Sequence, residues 1–391
     1  MKGLFIMLDL LFGNIISITP EQWLKMVIMW IIGGILIFLA VKKEMEPSLL
    51  LPMGFGAILV NLPLSGAIDQ IFGGIPQAGA LSELFRAGID NELFPLLLFI
   101  GIGAMMDFGP LLSNPKMFLL GAAAQFGIFF TFALVSLFPE NLFSLSDAAS
   151  ISIIGAADGP TSIFVAKYFD TKYIGSIVVA AYSYMALVPI VQPPVIRLCT
   201  TKKERLIRMK YEPASVSKTT RILFPIIITI IAGIAAPQSA SLIGFLMFGN
   251  LIRECGVLNS LSETAQHELA NLITILLGIT VAVKMNADDF LQLQTLIILG
   301  LGLLAFVFDT AGGVFFVKIL NLFLKEKINP MVGAAGISAF PMSSRVIHKM
   351  GLKEDNQNFL LMHAAAANIS GQVASVIAGG LIINLIAPLV K

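Results

Sequence analysis

Eleven apolar runs, many of them near the length a helix needs to cross a bilayer, constrain this chain more than any other feature of its sequence. They fall near 24–41, 48–62, 93–106, 117–138, 148–166, 173–196, 222–236, 270–283, 294–320, 328–342 and 359–388. A transmembrane helix takes roughly 20 predominantly apolar residues. Backbone polar groups in lipid must be satisfied within the protein, so a chain of such runs folds as helices. The expectation is an all-α polytopic membrane protein with about 9–11 spans. Apolar residues make up 57% of the sequence and charged residues only 13%, far from the balance of a soluble domain. A net charge of +1 argues against nucleic acid as a partner, because that needs a basic face. Cys199 and Cys255 stand alone, and His267, His348 and His363 are scattered, so neither a disulfide framework nor a metal-ligand set is implied.

The whole of 1–391 reads as one membrane domain. Residues 1–90 hold N-terminal spans and an amphipathic connector, in which Asp69, Glu83, Arg86 and Asp90 lie among apolar residues. The first twenty residues have one lysine and no clear small-residue cleavage site, so they read as a retained interfacial or membrane helix. Residues 91–200 form a first repeat, 201–220 a basic cytoplasmic loop, and 221–388 a second repeat. Arg197, Lys202, Lys203, Arg205, Arg208 and Lys210 mark that loop as cytoplasmic, as do Lys42 and Lys43 for theirs.

The repeat rests on two matched pairs. LLFIGIGAMMDF (97–108) resembles LLGITVAVKMNADDF (276–290), and IIGAADGPTSIF (153–164) resembles MVGAAGISAFPMSS (331–344). Between the marker glycines the offset is 54 from Gly101 to Gly155 and 55 from Gly278 to Gly333. An acidic loop with Glu140 and Asp147 precedes the first Gly-Ala-Ala, which suits the outer face. Lys325, Lys327, Arg345 and Lys349 flank the second, which suits the inner face. The halves are therefore expected as inverted-topology repeats, with the first segment re-entrant, in an elevator-like transporter architecture.

Both Gly-Ala-Ala segments are broken helices. Asp158-Gly159-Pro160 interrupts an apolar stretch that begins before Gly155, and Gly and Pro open the backbone there. An ionised Asp at mid-membrane costs about 2.5–3.5 kcal/mol on insertion scales. A cation beside it offsets much of that cost, and freed carbonyls with the hydroxyls of Thr161 and Ser162 are hard oxygen ligands that suit Na⁺. The bland alternative is a surface Asp-Gly-Pro turn. In the second segment Asn329, Pro330, Gly333, Gly336, Ser338 and Pro341 again break a helix, and Arg345 offers a guanidinium at its mouth, either as a clamp for a carboxylate or as an interface anchor. Tyr184, which shares its phenol chemistry with Tyr182, falls in the span that follows the first segment. Asn368 falls in the last one, among alanines where helices approach closely. Asp309 is a further intramembrane acid without a broken-helix context. The sequence has no Walker A loop, no Ser-His-Asp or His-Glu-x-x-His constellation and no Ala-Met-Lys-Met biotin-attachment site.

These residues resemble one family in particular. Gly155-Ala-Ala-Asp158-Gly159-Pro160-Thr161-Ser162, Tyr184 in AYSYMALVP, Asn329-Pro330 through Arg345, and GNLIRECGVL (249–258) look like the β subunit of the sodium-pumping biotin-dependent decarboxylases. That family acts with oxaloacetate, methylmalonyl-CoA, glutaconyl-CoA or malonate. The likeness runs from about 90 to 388. It implies a carboxybiotin decarboxylase of the translocase class in the bacterial cytoplasmic membrane, exporting Na⁺ and consuming a proton. By the same resemblance Asp158, Asn329 and Asn368 would be Na⁺ ligands, while Tyr184 and Ser338 would handle a second ion or the proton. Arg345 would meet the carboxybiotin carboxylate, and Gly155, Gly159, Pro160, Gly333 and Gly336 would shape the site. Implied partners are a biotin carrier, a carboxyltransferase α subunit, a small γ or δ subunit and further β subunits in a homotrimer. The competing functions are a secondary Na⁺-coupled carboxylate transporter and a structural subunit without an ion path.

Overall fold

The computed structural model describes residues 18–72, 74–210 and 216–390, so nearly all of the expected N-terminal helix lies outside the described residues. Helices dominate. The only strands among the described residues are Gln70–Phe72 and Ile75–Gln77, an antiparallel pair. With the short helix Ala80–Phe85 they make up the expected connector, where Arg86 pairs with Asp69 and Glu83. The connector is thus a hairpin followed by a short helix.

Seven described helices are long and apolar enough to cross a membrane: Pro20–Lys43, Met117–Val135, Ile174–Cys199, Lys218–Ala235, Asn259–Met285, Leu293–Phe323 and Leu361–Val390. An eighth crossing counts Ala80–Asp90 with Leu93–Met105, bent by 61° where they meet. The count falls below the expected 9–11 for a physical reason. The apolar runs near 48–62, 148–166 and 328–342 hold Pro or Gly and yield only short helices, such as Pro47–Val60 and Leu145–Ser152. One helix was not anticipated. Ala240–Glu254 lies against Leu93–Met105 so closely that a Cβ on Gly103 would stand 1.8 Å from the Leu246 carbonyl oxygen. Small residues at such crossings let backbones meet in lipid, where no hydrophobic force drives helix association.

The basic loop folds back onto the second half. Thr201 and Glu204 cap the short helix Lys202–Arg205. Arg205 Nε donates to Glu354 at 2.8 Å, and Arg208 Nε to Asp355 at 2.6 Å. The deepest packing gathers both broken segments against Ile174–Cys199, Leu293–Phe323 and Leu361–Val390.

Candidate functional site

Two short pieces of helix approach Asp158 without joining. Leu145–Ser152 opens on a capping box between Ser144 and Asp147 and tightens into a 3₁₀ turn at Ile153–Ala156. Ala157 then takes a left-handed backbone, φ 50°, which few residues with a Cβ adopt. A new helix starts as Gly159–Tyr168, with Pro160 in its first turn and Asp158 as its N-cap. Pro is at home there, since its missing N–H would have lacked a partner in any case. An anion is also favoured at this end of a helix.

The Asp158 carboxyl is buried, with 3% of the residue exposed. Its Oδ2 accepts three hydrogen bonds, from Thr161 Oγ1 at 2.7 Å, Ser375 Oγ at 2.8 Å and Gln372 Nε2 at 2.9 Å. Ser162 Oγ donates to the Asp158 carbonyl at 2.9 Å. Tyr182 packs flat on the break: a Cβ on Gly159 would lie 2.2 Å from its Cζ. The Tyr182 hydroxyl is buried and has no hydrogen-bond partner.

The second segment crosses the first. Asn329 caps the five-residue helix Pro330–Ala334, and helix resumes as Met342–Glu354 after the cis Phe340–Pro341 bond. Between them the Ser338 amide donates to the Ala156 carbonyl at 3.1 Å, and the Ser338 hydroxyl to the Gly371 carbonyl at 3.1 Å. Only glycine fits at 371, where a Cβ would be 2.0 Å from the Gly336 oxygen. Opened carbonyls are each met by a distant amide. Gln192 Nε2 donates to Ala334 at 2.7 Å, Gln125 Nε2 to Gly336 at 3.3 Å, and Asn368 Nδ2 to Ile337 at 2.6 Å. Broken backbone at membrane depth requires such partners. Asn368 Oδ1 is left buried and unpartnered.

A cavity of about 230 Å³ opens on this crossing, walled by Asp158, Tyr182, Ser338 and Gln372 and rimmed by Glu46 and Phe340. Burial pushes the Glu46 carboxyl above its usual range, while Arg345 pulls it back down. Arg345 itself is exposed, on the first turn after Pro341.

Of the residues singled out from sequence, Asp158, Ser338 and Asn368 gather around the crossing with Gly155, Gly159, Pro160 and Gly336. Gly333 faces Gly313 of Leu293–Phe323. Asn329 is engaged elsewhere, its Nδ2 donating to the carbonyls of Arg205 at 2.9 Å and Ile207 at 2.8 Å. It makes no polar contact with the Asp158 cluster, because its amide ties down the basic loop. Tyr184 turns its hydroxyl to the Leu299 carbonyl, so its neighbour Tyr182 is the phenol that faces the cavity. Gln372 and Ser375 were missed. Their signal was helical spacing: they lie four and seven residues after Asn368, on one face of the last helix.

The sequence pattern of the Na⁺-transporting oxaloacetate decarboxylase beta subunit matches residues 25–386. The chain belongs to this family. It is 46% identical over 376 residues to the methylmalonyl-CoA decarboxylase subunit beta of Propionigenium modestum, covering 92% of this chain and 94% of the relative. It is 44% identical over 430 residues to the oxaloacetate decarboxylase beta chain of Haemophilus ducreyi, covering 96% and 98%. The methylmalonyl-CoA decarboxylase subunit beta of Veillonella parvula is 45% identical over 360 residues, at 92% and 93% coverage.

Proposed function

We propose that this chain is the bacterial inner-membrane subunit of a biotin-dependent decarboxylase, in which carboxybiotin loses CO₂ and Na⁺ is exported. The observation that carries the reading is the buried Asp158 carboxyl, held by two hydroxyls and an amide where the two breaks cross. Na⁺ is the cargo. A hydroxyl can donate or accept, whereas a carboxylate only accepts. Thr161 and Ser375 donate to Asp158 when no ion is bound, and turn lone pairs toward an ion that enters. A rotated Gln372 amide and the free Asn368 Oδ1 add neutral oxygens. One negative charge among neutral hard oxygens matches a monovalent cation. Among the described residues no group of three His, Cys, Asp or Glu could hold a metal.

Carboxybiotin arrives on a partner at the rim marked by Glu46 and Arg345. Its N–C bond breaks, CO₂ leaves with neither electron of that bond, and the biotin nitrogen takes a proton. Leaving water favours this step, since the carboxylate's charge is less well stabilised in an enclosed site. Tyr182 lines the cavity and its buried hydroxyl has no hydrogen-bond partner, so this reading takes it as the proton donor. Family membership supports a biotin carrier and a carboxyltransferase as partners. A small γ or δ subunit, a trimer of β subunits and an elevator motion of inverted repeats belong to the same reading. The test is transport by the assembled complex in proteoliposomes, following radioactive sodium during substrate decarboxylation. Sodium uptake in step with CO₂ release is expected, and Asp158→Asn should abolish both uptake and Na⁺ stimulation. Full uptake by that variant would sink the assignment.

A further inference from the structure

Among the described residues Asp309 is an acid sealed within the helices with no exposed surface, and nothing in the function above uses it. It lies mid-way along Leu293–Phe323, and neither carboxyl oxygen has a hydrogen-bond partner. Two glycines make its slot. A Cβ on Gly127 would be 2.6 Å from Oδ1, and one on Gly155 would be 2.7 Å from Oδ2. The Gly127 and Ile128 amides, in the first turn of the helix Phe126–Val135, are turned toward the carboxyl without closing a hydrogen bond.

Among the described residues no cation stands by. The packed elements Met117–Ala124, Phe126–Val135, Ile153–Ala156 and Pro330–Ala334 carry no titratable side chain. Leu145–Ser152 carries only Asp147, which is bonded to Ser144 and Thr171. Ile174–Cys199 carries Tyr182 in the cavity wall, Tyr184 on the Leu299 carbonyl, and Arg197 and Cys199 at its far end. On its own helix the other charged residue is Lys318, which pairs with Glu204. A carboxylate so enclosed, with no counter-ion and only backbone amides turned toward it, is costly. A carboxylic acid fits.

Gly155 also lies in the 3₁₀ turn Ile153–Ala156, which leads through Ala157 to Asp158. The two acids therefore bracket one break, separated by the 3₁₀ turn and the left-handed Ala157. We infer that Asp309 is a proton-binding site whose proton opposes Na⁺ at Asp158 across this turn. The inference rests on the reading of Asp158 as the sodium site. When Asp309 is ionised, its charge attracts a cation held at Asp158. When it is protonated, that attraction is gone. Linkage makes the effect reciprocal, so Na⁺ entering at Asp158 favours release of the proton.

The experiment uses the purified complex and Asp309→Asn, close to the same shape but permanently uncharged. In the wild type the Na⁺ concentration for half-maximal stimulation of decarboxylation should rise as pH falls. In Asp309→Asn it should be about fivefold higher than wild type at alkaline pH and flat across pH. A group with a purely structural role would leave the pH dependence intact. Infrared spectra add a readout independent of pumping: a protonated-carboxyl C=O band that persists in Asp158→Asn and vanishes in Asp309→Asn. Retained pH dependence in Asp309→Asn, or an unchanged band, overturns the inference. Should Asp309→Asn fail to assemble, absence of the band from Asp158→Asn alone overturns it. If instead Asp158→Asn keeps its Na⁺ stimulation, the sodium site is wrong while the band still reports on Asp309.

Discussion

At Asp158 one carboxyl oxygen accepts three side-chain donors, while the other receives only a long contact, 3.5 Å, from the Thr161 amide. This asymmetry leaves Oδ1 as the open coordination edge. Ser375 touches the crowded edge and offers a hydroxyl to either occupant, hydrogen bond or ion. Ser375→Ala should therefore weaken Na⁺ binding and leave the chemistry nearly alone. A hydrogen bond to a charged group contributes about 1.5–3 kcal/mol, so half-saturation should rise roughly tenfold or more at a similar maximal rate. A sodium titration of decarboxylation reads both, and an unmoved midpoint would place Ser375 outside the site. The acid and its Gly-Pro context were legible in the sequence because Gly and Pro act locally on the backbone. Gln372 and Ser375 showed only their helical spacing from Asn368, since they reach Asp158 across 214 and 217 residues and spacing does not say what a face meets.

The broken helices follow the same division between local and distant. Pro160, Pro330 and Pro341 announce the breaks, and in the structure a helix begins anew at each. What keeps the opened carbonyls from being stranded is less visible. Gln125, Gln192 and Asn368 sit singly in apolar runs, and each proves to be the partner of one carbonyl in the second segment. A lone amide in a span therefore points to a break elsewhere. Asn329 shows the converse, because its place in a broken motif suggested an ion ligand while its amide closes the basic loop at Arg205 and Ile207. Asn329→Ala should speed proteolysis of the 201–210 loop in the assembled complex, with sodium half-saturation changed less than about twofold, below the effect of losing a charged hydrogen bond. A shift as large as that of Ser375→Ala would return Asn329 to the ion's ligands.

Across the whole molecule, the direction of transport depends on which ends the openings occupy. Ile174–Cys199 and Leu293–Phe323 start side by side, Ser176 and Thr295 sharing a 2.8 Å hydroxyl pair. At about 1.5 Å per residue they run roughly 40 Å or more before reaching the basic loop and Lys325. Their shared start thus lies at the end of the molecule opposite the basic loop. A second, polar cavity of about 420 Å³ sits there, lined by Lys172, Lys284, Asp289 and Gln292. The Asp158 cavity instead has Ser48 and Glu46 on its wall, a few residues past Lys42 and Lys43. Alternating access opens a central site to one face at a time, so the two cavities are expected to face opposite compartments. Cysteine labelling separates the faces, starting from a chain with Cys199 and Cys255 replaced by Ser. An impermeant maleimide should reach Ser48→Cys in inside-out vesicles only, and Gln292→Cys in right-side-out vesicles only. If both positions react from one side, the two cavities share a compartment, and no path for sodium through Asp158 connects the faces.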